Sequence, residues 1–257
     1  MTPGPLCIDL FCGLGGWTEG FLAEGFDVIG FDVEQHVYGE HRYPAQLVLQ
    51  DVRTLHGRQF KDATMIVASS PCQEFSYRAM PWKRAKALGP PELGMELFAQ
   101  AARIQREACE ASGRYIPMIQ ENVRGAQPWV GRAQWHYGSY YLWGDVPALM
   151  PMTHKGQKNT GGSWFNVAHN TTSGVGNNPA RGADIDGVKP SGLSGPRANG
   201  KGDRWFQDGA ARSGSKSSAR KAASARKAAS ARIAKIPMPL ARYIAQVARA
   251  AWQERAG

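Results

Sequence analysis

The feature that most constrains the fold of this chain is a series of short apolar runs, each closed by a polar or glycine-rich turn. They are "LCIDLF" (6–11), "DVIGFDV" (27–33), "AQLVLQDV" (45–52), "ATMIVASS" (63–70), "YIPMIQENV" (115–123) and "SYYLWG" (139–144). Runs of this length that are bounded by turns read as strands, and strands with little polar alternation read as buried on both faces. Between them, "GLGGWTEGFLAEG" reads as a glycine turn opening a short helix. Residues 92–112 form a longer helical pattern, with Leu93, Leu97, Ala101, Ile104 and Ala108 on one side. Strands alternating with helices predict an α/β chain built on a doubly wound, mostly parallel sheet.

A chain of 257 residues can bury a sizeable core. The expected organisation is a main domain over 1–150, a small region over 151–217, a basic segment over 218–235 and a terminal helix over 236–257. The second of these is rich in Gly, Asn, Ser, Thr and Pro, with Trp164, Phe165, Trp205 and Phe206 as isolated aromatic anchors. It is too poor in apolar residues for a large core of its own. The third contains a six-residue repeat, "SARKAA SARKAA SARIAK", from Ser218 to Lys235. As a helix, a six-residue period would spiral its Arg-Lys pairs around every face and build no apolar stripe. That leaves two readings, a flexible linker or an arm that meets a polyanion. In the fourth, "IPMPLARYIAQVARAAWQ" places Leu240, Ile244, Val247 and Ala251 on one face, so the helix is expected to pack back on the main domain.

The net charge of +10 has a local origin. Residues 212–235 hold eight of the 31 basic residues and no acid, which leaves 23 bases against 21 acids elsewhere. One segment therefore supplies most of the positive field. No run approaches the ~20 apolar residues of a membrane span, and the first residues carry no charged stretch leading into a long apolar one. A cytoplasmic location is expected.

The four cysteines, Cys7, Cys12, Cys72 and Cys109, form no C-x-x-C pair, and the six histidines are scattered, so neither disulfides nor a metal is expected. Cys72 stands out because "SSPCQEFS" (69–76) puts it at the mouth of a buried strand, where it could be a core thiol, a redox partner, a metal ligand or a nucleophile. "DLFCGLGG" (9–16) sits between a strand and a helix, and its glycines allow a tight turn and close approach of a ligand. Its spacing is not G-x-G-x-x-G, and no phosphate-binding lysine follows. Asp32 ends the second strand, where a ribose diol lies in doubly wound folds, and Asp51 ends the third. Together these describe a nucleoside-like ligand without phosphates.

"DLFCGLGG", "SSPCQEFS" and "ENV" (121–123), in this order and spacing, resemble the signature motifs of the DNA (cytosine-5) methyltransferase family. The resemblance covers roughly residues 5–145, with a weaker echo in "AKIPMPLARYIA". It implies a methyl transfer from S-adenosylmethionine to carbon 5 of cytosine in double-stranded DNA, with the base turned out of the duplex. Cys72 would be the nucleophile, which must act as thiolate although a free thiol has a pKa of ~8.5. Glu121 would supply a proton at ring N3 from a water-poor pocket, and Asn122 would hold the Cys72 loop. The cofactor positions implied are Phe11, Gly13, Leu14, Gly15, Gly16, Asp32, Val33, Asp51, Val52 and Pro71, with Glu34 an alternative match to Asp32.

A basic, aromatic loop over 73–94 would close on the base. Gln73, Ser76, Arg78, Lys83, Arg84 and Lys86 are nucleic-acid candidates there, with Tyr77 or Trp82 filling space; Arg220, Lys221, Arg226 and Lys227 are the candidates in the repeat. The family's glutamine-x-arginine-x-arginine stretch is represented only by Gln134 in "RAQWHYGSYYLWG", where His136 or Arg132 could substitute, and the arginine-leucine-threonine motif before the last helix is missing. These departures describe a compact, divergent relative acting as a monomer in a bacterial or phage-infected cytoplasm, with a cognate restriction nuclease as a conceivable partner. The same chemistry on tRNA and a catalytically silent DNA-binding relative are the competing readings.

Overall fold

The computed structural model describes residues 4–76, 90–150, 231 and 234–256. Strand β1 (Leu6–Leu10) leads through the glycine turn into helix α1 (Gly16–Ala23), followed by β2 (Asp27–Asp32) and β3 (Gln46–Leu49). Two 3-10 turns precede β4 (Met65–Ser69), and α2 (Glu92–Ser112) leads to β5 (Met118–Asn122). A four-residue helix α3 (Gln127–Val130), the hairpin β6 (Trp135–Tyr137) and β7 (Tyr140–Gly144), and the last helix α4 (Met238–Ala256) complete the described elements. The sheet has seven strands in the order β3-β2-β1-β4-β5-β7-β6. The first five are mutually parallel, and β7 runs antiparallel to both β5 and β6.

Alternation along each central strand supplies both faces of this sheet. Cys7, Val28, Met65, Val67 and Ile119 pack with Trp17 and Phe21 of α1 and with Leu240, Ala241, Ile244 and Ala245 of α4. Ile8, Leu10, Phe31, Ile66, Ala68 and Met118 pack with Ala101, Ile104 and Ala108 of α2. Helices on both faces of a mostly parallel sheet are the doubly wound arrangement expected from the strand runs. The described residues 4–76, 90–150 and 235–256 belong to one compact unit. Among them, no helix is long and apolar enough to cross a membrane.

Several local expectations need correction. The strand expected over 45–52 stops at Leu49, because Asp51 caps a 3-10 turn by accepting the Arg53 N–H. A strand not anticipated, β6, pairs with β7 across Gly138-Ser139, with Gly138 at φ 59°; a glycine with positive φ is what such a tight hairpin requires. On α2 the buried positions are Gly94, Ala101, Ile104 and Ala108, while Leu93 is 46% exposed. On α4 the buried stripe runs through Leu240, Ala241, Ile244, Ala245 and Ala248, and Val247 lies outside it. Small alanines, rather than the larger valine, face the core because α4 lies close against α1.

Candidate active site

In a doubly wound sheet, ligands collect outside the carboxyl ends of the strands where the strand order reverses. Here that point lies between β1 and β4, so the glycine turn after β1 and the Cys72 loop after β4 flank it. Asp32 ends β2 and Glu121-Asn122 end β5 at the same edge. Four of the sequence-derived groups are thus delivered to one edge by parallel register alone.

The turn is tightly built. Cys12 N–H donates to the Phe31 carbonyl at 3.1 Å, and Gly15 N–H donates to the Cys12 carbonyl at 2.8 Å. Gly13 N–H donates to Asp32 Oδ2 at 2.9 Å, which ties the turn to the end of β2. Gly13 (φ 53°) and Gly15 (φ 74°) are left-handed, and so is Phe11 (φ 57°). A phenylalanine in that region stores about 1 kcal/mol or more of strain, a feature that clusters at ligand sites. A Cβ on Gly13 would meet nothing within 4 Å, whereas one on Gly15 would lie 2.5 Å from Pro44 Cδ. Gly13 therefore borders open space, and Gly15 allows the β2–β3 connection to close over the turn.

The other cofactor candidates divide by exposure. Val33 is 70% exposed beside Asp32, and Pro71 is exposed beside Cys72. Leu14 and Val52 are buried, and Gly16 is covered by the Ile236 backbone rather than facing the edge. Glu34 donates its N–H to Asp32 Oδ1 at 3.2 Å, so the two alternative matches are coupled. Asp51 is held by Arg53 through Nη2 at 2.6 Å and Nε at 3.0 Å. The Arg53 hydrogen bonds keep its carboxyl below the usual aspartate range.

Cys72 is half-buried in a turn that its own carbonyl organises, accepting from Phe75 N–H at 3.1 Å and from Ser76 Oγ at 2.9 Å. Phe75 anchors that turn in a small core with Ala126 and Trp143. Ser69 pairs in register with Glu121, so the chain leaves β4 for Cys72 beside the end of β5. Glu121 is 7% exposed and Asn122 fully buried. Asn122 Nδ2 donates to the Ser70 carbonyl and to Ser70 Oγ, both at 3.0 Å, and its Oδ1 accepts from Val123 N–H at 2.7 Å. The asparagine thereby holds the segment entering the Cys72 turn. Gln73 is exposed and Ser76 half-buried. Tyr77, Arg78, Trp82, Lys83, Arg84, Lys86, Arg220, Lys221, Arg226 and Lys227 lie outside the described residues, as does nearly all of 151–234.

Sequence reasoning missed Asp9, Glu74, Arg124, Gln127 and Tyr141 around the site, whereas Arg132, Gln134 and His136 were already candidates. Glu74 Oε2 accepts from Gly94 N–H at 2.6 Å, which joins the Cys72 loop to the first turn of α2. Beyond β5, a concavity of about 780 Å³ is lined by Arg124, Gln127, Arg132, Gln134, His136 and Tyr141, among others. The His136 ring stacks on Tyr141, with centroids 4.9 Å apart and planes at 18°. Neither Arg124 nor Arg132 is ion-paired among the described residues. Basic residues on both sides of "ENV…RAQWHYG" were the available signal. Asp9, inside the glycine-turn motif, proves to be buried at 1% exposure. Among the described residues, no group of three or more His, Cys, Asp or Glu is placed to hold a metal ion.

Comparison with known proteins gives these placements a family context. Residues 6–127 match the family model described as C-5 cytosine-specific DNA methylase. No curated protein matches. Among solved structures, a prophage-encoded E. coli protein described as a DNA modification methyltransferase is 25% identical over 48% of this chain and 33% of its own, with a TM-score of 0.35. The Entamoeba histolytica methyltransferase EhMeth is 16% identical over 49% of this chain and 40% of its own, with a TM-score of 0.34. This chain therefore spans well under half the length of either. The described residues form a mostly parallel, seven-stranded α/β sheet, and the segment 6–127, which carries the glycine turn, the Cys72 loop and the Glu121-Asn122 strand end, matches the model of the C-5 cytosine-specific DNA methylase family.

Proposed function

We propose that this chain transfers a methyl group to carbon 5 of cytosine in double-stranded DNA, by covalent catalysis through Cys72 on a base turned out of the helix. The observation that carries this reading is the shared strand-end edge, with Cys72 one short turn beyond the residue that pairs with Glu121. Cytosine carbon 5 is a weak nucleophile until a thiolate adds at carbon 6. In the proposed sequence, Cys72 Sγ bonds to carbon 6 while Glu121 gives a proton to N3. Carbon 5 then takes the methyl, loses its own proton to a water-borne base, and the sulfur–carbon bond breaks to restore the ring. N3 returns its proton to Glu121. Burial of Glu121 suits this role, because a dry carboxyl holds its proton more readily.

S-adenosylmethionine would supply the electrophilic methyl, and the turn fits such a donor. Gly13 leaves room for close approach, Phe11 presents a ring from a strained backbone, and Asp32 lies at the strand end suited to a ribose diol. Asp51 would need to give up part of its Arg53 pairing to meet a base edge. The concavity with Arg124, Arg132 and the His136–Tyr141 stack would receive backbone phosphates and unstacked bases, supplementing Gln134 where arginines are missing. The division of labour proposed along the chain is catalysis and donor binding over 1–150 with 236–257, target recognition over 151–217, and phosphate contact by the repeat over 218–235.

The test uses a random-sequence duplex library carrying 5-fluorocytosine, incubated with full-length protein and S-adenosylmethionine. Fluorine does not leave as a proton does, so the enzyme is expected to remain covalently attached, and Cys72→Ser to form no adduct while still binding the donor. Cytosine methylation without an adduct, or wild-type activity in Cys72→Ser, would overturn the mechanism. Mapping modified cytosines in DNA and tRNA of expressing cells checks the substrate: marks confined to tRNA would move it there. Marks in neither would favour the silent DNA-binding reading.

A further inference from the structure

Asp9 is the one buried acid at this edge to which the proposed chemistry assigns no task. It sits in the middle of β1 with 1% exposure, between Ile8 and Leu10, which pack on the opposite face of the sheet. Thr18 Oγ1, in α1, donates to Asp9 Oδ2 at 2.6 Å and lies 2.7 Å from the Tyr43 hydroxyl. Asp9 Oδ1 has no hydrogen-bond partner among the described residues. The chain of groups Tyr43–Thr18–Asp9 therefore runs under the glycine turn and joins β1, α1 and the β2–β3 connection. Tyr43 closes that connection from above: its Cδ2 lies 3.1 Å from where a Cβ on Gly15 would sit, and its ring fills the space over Gly30.

Among the described residues, no cation faces Asp9. Opposite it in register stand Gly30 of β2 and Val67 of β4. The titratable groups that face it are Cys7 on its own strand, Cys12 in the turn, Tyr43, and Asp32 at the end of β2. His36 Nε2 lies 3.7 Å from Asp32 Oδ1. Burial first, and then the Asp32 charge, push the Asp9 carboxyl up to about 7, against the opposing pull of the Thr18 hydrogen bond. A proton on the Asp9 carboxyl removes the bare charge from a dry site, while Oδ2 still accepts from Thr18 and Thr18 accepts from Tyr43.

We propose that Asp9 is a positioning residue for the methyl-donor turn and works in its neutral form, its carboxyl locking the Thr18–Tyr43 chain that holds Phe11–Gly15 in the donor-binding shape. Ionisation places an uncompensated charge in a dry site beside Asp32, whose carboxylate holds Gly13 N–H, and the repulsion between the two carboxylates shifts the turn and weakens donor binding. The inference rests on the proposed function only for the identity of the ligand. The protonation of Asp9 has its own readout in the stability of the protein without ligand.

Two measurements test it on the full-length protein. Calorimetric titration with S-adenosylhomocysteine, the demethylated product, between pH 6 and pH 8.5 is expected to show affinity falling about 30-fold, the fraction of neutral Asp9 setting the competent population. Asp9→Asn is expected to bind at pH 8.5 as the wild type does at pH 6, with any slope common to both proteins assigned to the ligand. Thr18→Val, which breaks the Tyr43–Thr18–Asp9 chain, is expected to weaken binding at every pH. Denaturant midpoints supply the second readout. A carboxyl whose folded pKa is raised takes up protons on folding, so wild-type stability relative to Asp9→Asn falls as pH rises from about 4 to about 7 and then levels. Equal pH slopes in wild type and Asp9→Asn in both readouts would overturn the proposal. So would a folded Asp9→Asn that fails to bind at any pH. Wild-type protein that binds no S-adenosylhomocysteine at any pH, yet shows the stability slope, would refute the donor reading and leave Asp9 as a buried neutral acid without the role proposed.

Discussion

Replacing Gly20 by alanine tests how α1 meets the last helix. Gly16 and Gly20 are one turn apart on α1, and both face the α4 segment. A Cβ on Gly20 would lie 2.5 Å from both the carbonyl carbon and Cβ of Ala241 and 2.6 Å from Arg242 N. Ordinary carbon contacts need about 3.5 Å or more, so the helices must part by roughly 1 Å, and backbone atoms cannot swing aside as a flexible side chain would. Overpacking of this kind costs about 1–3 kcal/mol. A gap of that size also forfeits a quarter to a half of each dispersion contact along the seam, where Trp17, Phe21, Leu240 and Ile244 are all buried below 4% exposure. Against this, alanine improves helix propensity by about 1 kcal/mol over glycine. The balance is a net loss of about 2 kcal/mol, or a melting temperature lower by roughly 4–8 °C for a chain of this size. Urea unfolding of Gly20→Ala beside wild type measures it. Gly113→Ala is the control for backbone strain alone, because Gly113 is left-handed at φ 67° with nothing within 4 Å. A Gly20→Ala protein as stable as wild type, or more so, would refute the close α1–α4 seam.

Two further outcomes follow from the hydrogen-bond geometry. Asn122→Ala removes both donations to Ser70 and leaves a buried carbonyl short of a donor, so it is expected to cost about 2 kcal/mol and to reduce methyl transfer with little change in donor affinity, checked by unfolding and by calorimetry on the same variant. Glu107 accepts from Gly57 N–H at 2.6 Å and pairs with Arg103 at 2.9 Å; these hold its carboxyl below the usual value of 4.5. Its contribution is present above pH 4.5 and fades as pH falls through the lowered value, so Glu107→Gln is expected to be less stable by about 1–2 kcal/mol at pH 7 and equal to wild type in strong acid. A gap that persists at pH 2 would assign the effect to packing instead.

How far the site could be read from the sequence depended on the range of the interactions concerned. The glycine turn, the Cys72 turn and the end of β5 were legible because each follows an apolar strand run directly and their order along the chain survives folding, although the bonds that fix them come from distant residues. Asp51 was legible as a strand-end acid, but its bond to Arg53, two residues on, redirects it in a way that chain order alone does not weigh. The Leu93 and Val247 faces were misjudged because helical periodicity defines a stripe without saying which neighbour covers it. The β6–β7 hairpin was missed although Gly138-Ser139 is a recognisable turn, since three residues of strand carry too little pattern to stand out.

By itself, the sequence determined which chemistry-bearing residues exist, their order, and the strand-turn-helix frame that carries them, because these follow from local periodicity and turn chemistry. Only the tertiary structure decided that Asp9 is dry and, among the described residues, faces no cation, that Asn122 grips Ser70, and that two glycines let α4 lie against α1. Each of those depends on elements far apart in the chain meeting at contact distance, where burial and charge, rather than residue type, set the behaviour of a side chain.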